Sequence, residues 1–328
     1  MSGREFARLT LEQTLELLQK PQPTCILFHV NPDADAIGSA FALAELLRLH
    51  GSPAYCLCAH EIPDRLRFLT DGLQESVLLP SLPKEFDEAR VITVDSAAPT
   101  QLGALYDHFG DRISLMIDHH EKGTPYADHL ILPDAAATGE IVFDLISISG
   151  VEVSARCSAL LYAAISSDTG GFRYSNTTRE THLRAAVLVS DGVDVADISH
   201  RLFETKSMQM LRAEHIGFES MRLFDEGRVA LISIGYEQAE KNGLLPEHFA
   251  TLVDVARSVA GVEVAAVIRQ PDQAPRFRVS MRANVDVDVA AVAERFGGGG
   301  HRRAAGATIL APGIEEAERA LLEALLQK

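Results

Sequence analysis

Three short runs in the first 120 residues, 25–30 (CILFHV), 91–94 (VITV) and 113–117 (ISLMI), are almost wholly apolar, and each leads straight into acids or imidazoles. A strand that is apolar on both faces needs cover on both faces, and helices packed above and below a parallel sheet provide it. Helical patterning fills the gaps. Residues 9–20 read as an opening amphipathic helix. Residues 37–50 place Ile37, Ala40, Phe41, Ala44 and Leu47 on one face, with Gly51 just past the end as a left-handed cap. Residues 54–57 are strand-like, and 138–149 and 155–166 read as helices. The pair Thr177 and Glu180 has capping-box spacing before a further helix that ends near Gly192. The reading is an α/β fold with a parallel N-terminal sheet.

Beyond Gly192 the pattern changes. Residues 193–215 are polar-amphipathic without glycine or proline and predict a linker helix. Strand-like runs follow at 229–234, 262–268 and 276–282, then a glycine-rich stretch and a last helix over 314–327. The expected organisation is a parallel-sheet α/β domain over 1–192, the linker over 193–215 and a smaller α/β domain over 216–328. Charge divides along the same line. The chain carries −16 overall, of which residues 1–200 hold −14 and residues 201–328 only −2. Such an excess of acid argues against a long nucleic-acid track and against docking on anionic lipid, while leaving room for a small anionic substrate held by local cations. Cys25, Cys56, Cys58 and Cys157 lie in apolar stretches without zinc spacing, which predicts reduced core thiols. No run approaches the ~18 apolar residues of a membrane span, and the charged start MSGREFARLTLEQ has no secretory apolar core. A cytoplasmic protein without a membrane partner is expected.

The chemistry gathers at the ends of elements. The first run leads into His29, Asn31, Asp33 and Asp35, the second into Asp95, the third into Asp118, His119 and His120, and the helix ALLYAAISS into Asp168. In open α/β sheets, sites form beyond the carboxyl ends of the strands. Carboxylates and imidazoles without thiolate suit Mn²⁺ or Mg²⁺ better than structural zinc. Asp33 and Asp35, two residues apart, can address different ions, and Asp95 can bridge both. Two ions roughly 3.5–4 Å apart stabilise the attacking and leaving oxygens of a phosphoryl displacement and supply hydroxide at neutral pH. The plainer reading is that Asp33 and Asp35 cap the following helix and that Asp95 caps a turn. Asp144 and Asp191 read as ordinary helix-surface acids.

A second feature is Phe296 to Gly306 (FGGGGHRRAAG). Consecutive glycines let backbone N–H groups approach an anion closely, and His301, Arg302 and Arg303 add donors. Seven arginines and four acids fall between Arg269 and Arg303, a locally basic stretch in an acidic chain. A phosphate- or nucleotide-binding loop at a strand–helix junction is expected, with Arg282 as its companion; a flexible loop beside a solvated basic strand is the alternative, and Arg302 and Arg303 read equally well as surface residues.

Taken in order, these motifs are similar to those of the DHH phosphoesterases that carry a C-terminal DHH-associated domain. The matching segments are His29 to Ser39 (HVNPDADAIGS), Val94-Asp95, Asp118-His119-His120, Ser167 to Phe172 (SDTGGF) and the GGGGH-x-x-AAG stretch, within residues 20–310. Length and layout resemble the short branch of nanoRNases and 3′-phosphoadenosine-5′-phosphate (pAp) phosphatases. The resemblance implies a cleft between two domains and two Mn²⁺ ions, with Mg²⁺ or Co²⁺ as substitutes. One ion would take His29, Asp33 and Asp95, the other Asp35, Asp95, His119 and Asp168. Asp118 would orient a metal-site histidine, His120 and Asn31 would meet the scissile phosphate, and Arg282, Gly299, Gly300 and His301 would grip the far end of the substrate. Phe172 or Tyr174 would stack a base, with a core role for Phe172 as the alternative. Ala34 stands where the family often has glycine. The implied substrates are short oligoribonucleotides or pAp. A linear or cyclic dinucleotide phosphodiesterase (pApA, cyclic di-AMP) is the nearest rival, and a nucleotide sensor without turnover the rival of another class. A homodimer is left open.

Overall fold

The computed structural model describes residues 5–73, 75–76 and 84–326. In chain order its elements are α1 (Leu11–Leu18), β1 (Thr24–Leu27), α2 (Ala34–Leu49), β2 (Ala54–Leu57), β3 (Glu75–Ser76), β4 (Arg90–Val94), α3 (Ala104–Phe109), β5 (Ile113–Asp118), β6 (Asp128–Ile131), α4 (Thr138–Ser149), α5 (Ala155–Asp168), α6 (Arg179–Ser190) and α7 (Val195–Ser199). They continue with α8 (Met208–Ser220), β7 (Arg222–Phe224), β8 (Val229–Ile234), α9 (Tyr236–Lys241), α10 (Leu252–Arg257), β9 (Val264–Arg269), β10 (Arg276–Ala283), α11 (Val289–Glu294), β11 (Gly299–His301), β12 (Ala304–Leu310) and α12 (Ile314–Leu326). The expected end of the last helix, Gln327, lies outside the described residues.

Two compact units emerge, Met1–Thr205 and Lys206–Lys328. The first is built on five parallel strands in the order β2-β1-β4-β5-β6, extended at one edge by the two-residue pairing of β3. Both faces are covered, as uninterrupted apolar strands require. One face packs Ile26, Ile92 and Ile117 under α2, α4 and α5. The other packs Cys25, Val91 and Met116 under α3 and Phe86. Helices α2 and α5 pack closely because Gly38 has no side chain; a Cβ there would lie 2.4 Å from Leu160 O. All four cysteines are buried free thiols.

The second unit holds a mixed sheet, β11-β12-β10-β9-β8-β7, in which only β8 and β9 run parallel. Helices α11 and α12 cover one face through Val289, Ala293 and Leu321. Helices α8 and α10 cover the β8–β9 end of the other through Ile216, Leu252 and Ala256.

Three local expectations change. The first strand ends at Leu27 rather than Val30, because Val30 N–H turns out of the ladder to donate to Gln101 O. The α6 cap is Thr178, whose Oγ1 accepts from Thr181 N at 3.1 Å; Thr177 N–H is already used by Tyr174 O, and Glu180 falls in the first turn. The single linker helix over 193–215 is two helices. Asp194 caps α7, a π-turn closes it at Glu204, Thr205 is extended, and Ser207 caps α8 by accepting from Met210 N. Side-chain acceptors at Asp194 and Ser207 compete with the helix and reset it, although neither glycine nor proline marks the break.

Candidate metal centre

Loops leaving the carboxyl ends of β1, β4 and β5 meet the amino end of α2 and the carboxyl end of α5. The chain must turn sharply where it leaves a strand, and two turns are made by non-glycine residues with left-handed backbone, Asn31 (φ 54°) and Asp95 (φ 52°). Asn and Asp are the side chains that tolerate this region best.

His29 Nε2 lies 3.7 Å from Asp33 Oδ1 and 3.4 Å from Asp95 Oδ2. His119 Nε2 lies 3.8 Å from Asp35 Oδ2, 3.6 Å from Asp95 Oδ1 and 3.4 Å from Asp168 Oδ2. The donor atoms form two sets that could each hold an ion, His29–Asp33–Asp95 and Asp35–His119–Asp168. Asp95 turns one oxygen toward each histidine. Asp33 also caps α2, accepting from Ala36 N at 3.0 Å, so the capping role and the place in the cluster coexist.

The residues present fit divalent ions. His29 Nδ1 donates to Val30 O at 2.9 Å and His119 Nδ1 to Ala135 O at 3.2 Å, which leaves Nε2 of each ring as the nitrogen that faces the carboxylates. The Nε2-to-carboxylate spacings are long for hydrogen bonds and close to those of neighbouring ligands, roughly 3.0–3.4 Å apart when each sits ~2.1 Å from one ion. Electrostatics agree. Burial, then the charges of Asp95 and Asp33, hold Asp35 well above the usual carboxylate range; burial and the neighbouring Asp35, Asp33 and Asp95 do the same to Asp168. For Asp33 and Asp95 desolvation pulls upward too, but the histidines prevail and hold both below it. Burial would lower His29, yet Asp33 and Asp95 raise it well above an ordinary imidazole. Crowded carboxylates of this kind are relieved by cations.

Asp35 is fully buried. Its oxygens accept from Thr138 N (2.7 Å), Gly139 N (2.8 Å) and Ser39 Oγ (2.9 Å), and Thr138 Oγ1 donates to Asp95 Oδ1 (3.0 Å). Sequence reasoning missed these supports. A signal for them exists: α4 starts at Thr138 behind Ala137, which has no side chain to cap it, so its first N–H groups need an anion from elsewhere. Asn176, also missed, donates to Asp168 O and Ala136 O.

Asp118 departs from its expected role. Its Oδ1 accepts from His119 N (2.9 Å) but from the ring of His120, through Nδ1 at 2.7 Å; the His119 ring has Ala135 O instead. Asp118 thus orients the phosphate-facing candidate rather than a metal-site imidazole. Burial would lower His120, but the Asp118 hydrogen bond and the charges of Asp118 and Asp95 push it up to about 9. Asn31 is met by His60, whose Nδ1 lies 3.3 Å from Asn31 N and 3.1 Å from its Oδ1. Phe172 is not placed to stack a base: its ring packs on Tyr162 (5.7 Å) and His182 (5.4 Å). Tyr174 lies over Gly170, where a Cβ would sit 2.2 Å from its ring. Asp144 is bound by Arg184 through both oxygens (2.8 and 2.6 Å), and Asp191 accepts from Ser158 Oγ.

In the second unit, strand register brings Arg282, Ala304 and His301 into one row. The glycine run is not at a strand–helix junction. It enters a hairpin, β11 against β12, in which Gly299 pairs with Gly306 and Gly300 with Ala305. Close backbone approach explains much of it: a Cβ on Gly298 would lie 2.2 Å from Gly306 O, and one on Gly300 2.5 Å from Ala304 O. Arg302 is exposed and paired with Asp286.

The chain matches the model of the DHH family, N-terminal domain, over residues 23–165 and that of the DHHA1 domain over 231–328. It is 32% identical to the bifunctional oligoribonuclease and PAP phosphatase NrnA of Thermus thermophilus, covering 93% of this chain and 90% of that protein, and 28% identical to the Bacillus subtilis protein of that name, covering 90% and 91%. It is 26% identical to the cyclic-di-AMP phosphodiesterase GdpP of Geobacillus thermodenitrificans, with 98% of this chain but 50% of that protein covered. The crystal structure of an exopolyphosphatase-related protein from Bacteroides fragilis matches with a TM-score of 0.86 at 25% identity, covering 96% and 95%. Among the described residues no helix is long and apolar enough to cross a membrane. Both domain models fall in order along the sequence and a relative above 30% identity spans nearly all of it, so the chain belongs to the DHH family, its N-terminal DHH domain followed by a DHHA1 domain.

Proposed function

We propose that this chain is a metal-dependent phosphoesterase that cleaves short oligoribonucleotides to mononucleotides and removes the 3′-phosphate of pAp. The observation that carries the reading is Asp95, whose two oxygens face two imidazoles, each backed by its own carboxylates. His29, Asp33 and Asp95 would hold one ion, and Asp35, Asp95, His119 and Asp168 the other, with Mn²⁺ as the first choice and Mg²⁺ or Co²⁺ as substitutes. Bound there, the pair would supply hydroxide at neutral pH and offset charge on the attacking and leaving oxygens.

The chain's own groups do the rest. His120, held through Nδ1 by Asp118 and pushed up to about 9, carries a proton at neutral pH and offers it to the leaving oxygen. Asn31 offers its side-chain amide to a phosphate oxygen. Arg282, Gly299, Gly300 and His301 grip the far end of the substrate. Residues 1–200 carry −14, which disfavours long nucleic acid and suits a short substrate. The names of the Thermus and Bacillus relatives support this substrate class. The cyclic-di-AMP phosphodiesterases are about twice this chain's length and support it less.

The test is a panel with purified protein and Mn²⁺: pAp, pApA, cyclic di-AMP, and RNAs from dinucleotide upward. Hydrolysis of pAp and of the shortest RNAs, falling steeply with length, is the expected result. No cleavage of any member overturns the reading, and cleavage confined to cyclic di-AMP transfers it to the rival.

A further inference from the structure

The basic strand face of the second unit is a patterned surface. Strand β10 alternates, with Phe277, Val279 and Met281 in the core and Arg276, Arg278, Ser280 and Arg282 on the opposite, open side. Register then sets three rows across the sheet. Arg269, Arg278 and Thr308 form one, Ser280, Gly306 and Gly299 the next, and Arg282, Ala304 and His301 the third. On β10, β12 and β11 the middle row bears nothing larger than a serine side chain. A trough therefore lies between two arginine-bearing rows. Arg278 and Arg282, four residues apart on one strand, are separated by about 13 Å along it.

Two independent observations say that packing did not make this trough. The first is Gly299. Its neighbours Gly298 and Gly300 must be glycine because the opposing backbone is too close, but a Cβ on Gly299 would meet open space and its φ lies outside the left-handed region. Nothing in the fold asks for a bare position there. The second is the pairing of charge. Arg269 and Arg278 stand directly opposite each other on neighbouring strands, an unfavourable like-charge pair. Arg269 is half-buried, with its guanidinium over the Phe249 ring at 5.9 Å. Among the described residues no carboxylate pairs with Arg269, Arg278 or Arg282, whereas Arg276 on the same strand is held by Asp272 and Arg302 by Asp286.

We infer that the trough is a second phosphate subsite for single-stranded oligonucleotides, in which a nucleotide unit lies on the Ser280–Gly306–Gly299 floor between a phosphate at Arg282 and a further phosphate at the Arg278–Arg269 pair. The inference rests on the oligonucleotide reading above and adds what holds the phosphates that a pentanucleotide has and pAp lacks.

The test compares a pentanucleotide RNA with pAp, using the full chain with Mn²⁺ over a range of salt concentrations, for wild type, Arg278→Gln and Arg269→Gln/Arg278→Gln. In each variant the pentanucleotide KM should rise relative to the pAp KM, by about tenfold for the double arginine variant. The salt dependence of the pentanucleotide KM should flatten in that variant by a log–log slope of about 0.7 for each phosphate no longer neutralised. Arg276→Gln, which removes an arginine already held by Asp272, should leave the ratio of the two KM values where it was. An equal shift on both substrates, no shift, or the same ratio change in Arg276→Gln overturns the subsite. Failure of the wild type to turn over either substrate is a different result and sinks the oligonucleotide reading itself.

Discussion

In the all-parallel sheet the candidate site lies beyond strand ends, and in the mixed sheet it lies across strand faces. At the ends, acids are drawn inward and held by hydrogen bonds: Asp35 by the amino end of α4, Asp118 by the His119 backbone and the His120 ring. On the face, cations stand out from a bare floor, and their order comes from the two-residue period of the strand. Burial is what makes the first site potent, because carboxylates gathered out of water demand compensating charge. Exposure would make the second adaptable, because under the proposed reading it would meet a flexible polyanion one phosphate at a time.

The sharpest way to break this contrast is to remove the carboxylate common to both donor sets. Asp95→Asn should lower kcat on pAp by more than about a thousandfold and reduce Mn²⁺ binding measured by calorimetry, with the fold kept. Comparable activity in this variant would mean that the two donor sets do not work as a pair. Asp118 lies outside the two donor sets, and Asp118→Asn keeps an oxygen for the His119 N–H while weakening the hold on the His120 ring, so a loss of about 10–100-fold in kcat with Mn²⁺ binding retained is expected. A loss of Mn²⁺ binding instead would place Asp118 among the ligands.

The face of the second sheet is tested through stability. Gly298→Ala forces a Cβ toward Gly306 O and Ala307, whose separations of 2.2 and 2.7 Å leave it no room. The variant should lose about 1–3 kcal/mol in denaturant unfolding. Gly299→Ala, with open space around it, should lose less than ~1 kcal/mol. Equal losses would remove the distinction between packing glycine and floor glycine.

How far the sequence could be read follows the same divide. Continuous apolar runs announced the parallel strands, because two-sided burial leaves no other pattern, and the acids at their ends marked the cluster. Thr138 and Gly139 were missed as supports because both hold Asp35 through backbone N–H, which every residue but proline carries; the start of α4 without a capping side chain was the one signal, and the Thr138 hydroxyl on Asp95 the one side-chain contribution. The break at Thr205 escaped because the first helix ends in a π-turn and the next starts on a Ser207 side-chain hydrogen bond, with neither glycine nor proline to mark the change. The glycine run was misplaced in a different sense. It was read at a strand–helix junction, but it enters a hairpin whose own backbone requires glycine at Gly298 and Gly300, and a one-dimensional string holds no sign of which strand will press against it.

Proton linkage separates the units without touching either. In metal-free protein His29 and His120 are raised, so the stability they contribute is complete below an ordinary imidazole pKa of about 6.5 and is lost as pH climbs through the raised value, about 9 for His120. The raised carboxylates Asp35 and Asp168 act in the same sense, because ionising them is opposed by burial and neighbouring charge. Asp33 and Asp95 act in the other sense, but only below about pH 4. The metal-free Tm should therefore fall between pH 6.5 and 9, and Mn²⁺ should raise Tm most at the alkaline end. A metal-free Tm that is flat or rising over this range would show that the imidazoles are already neutral.

The smallest expected effect concerns His60, which lies outside both donor sets. Asn31 holds a left-handed backbone at the surface, a conformation that costs about 1 kcal/mol or more unless its surroundings fix it. The His60 ring supplies that restraint through one nitrogen near both Asn31 N and Oδ1. An exposed hydrogen bond is worth about 0.5–1.5 kcal/mol, so His60→Ala should reduce kcat/KM on pAp by about two- to tenfold. Because Asn31 is proposed to meet the phosphate and lies outside both donor sets, Mn²⁺ affinity should hold steady while the kinetics change. His60→Gln, whose amide can reach the same partners, should recover part of the loss. Loss of Mn²⁺ affinity in His60→Ala would tie this ring to the buried carboxylates after all, and an unchanged kcat/KM would show that Asn31 keeps its turn unaided.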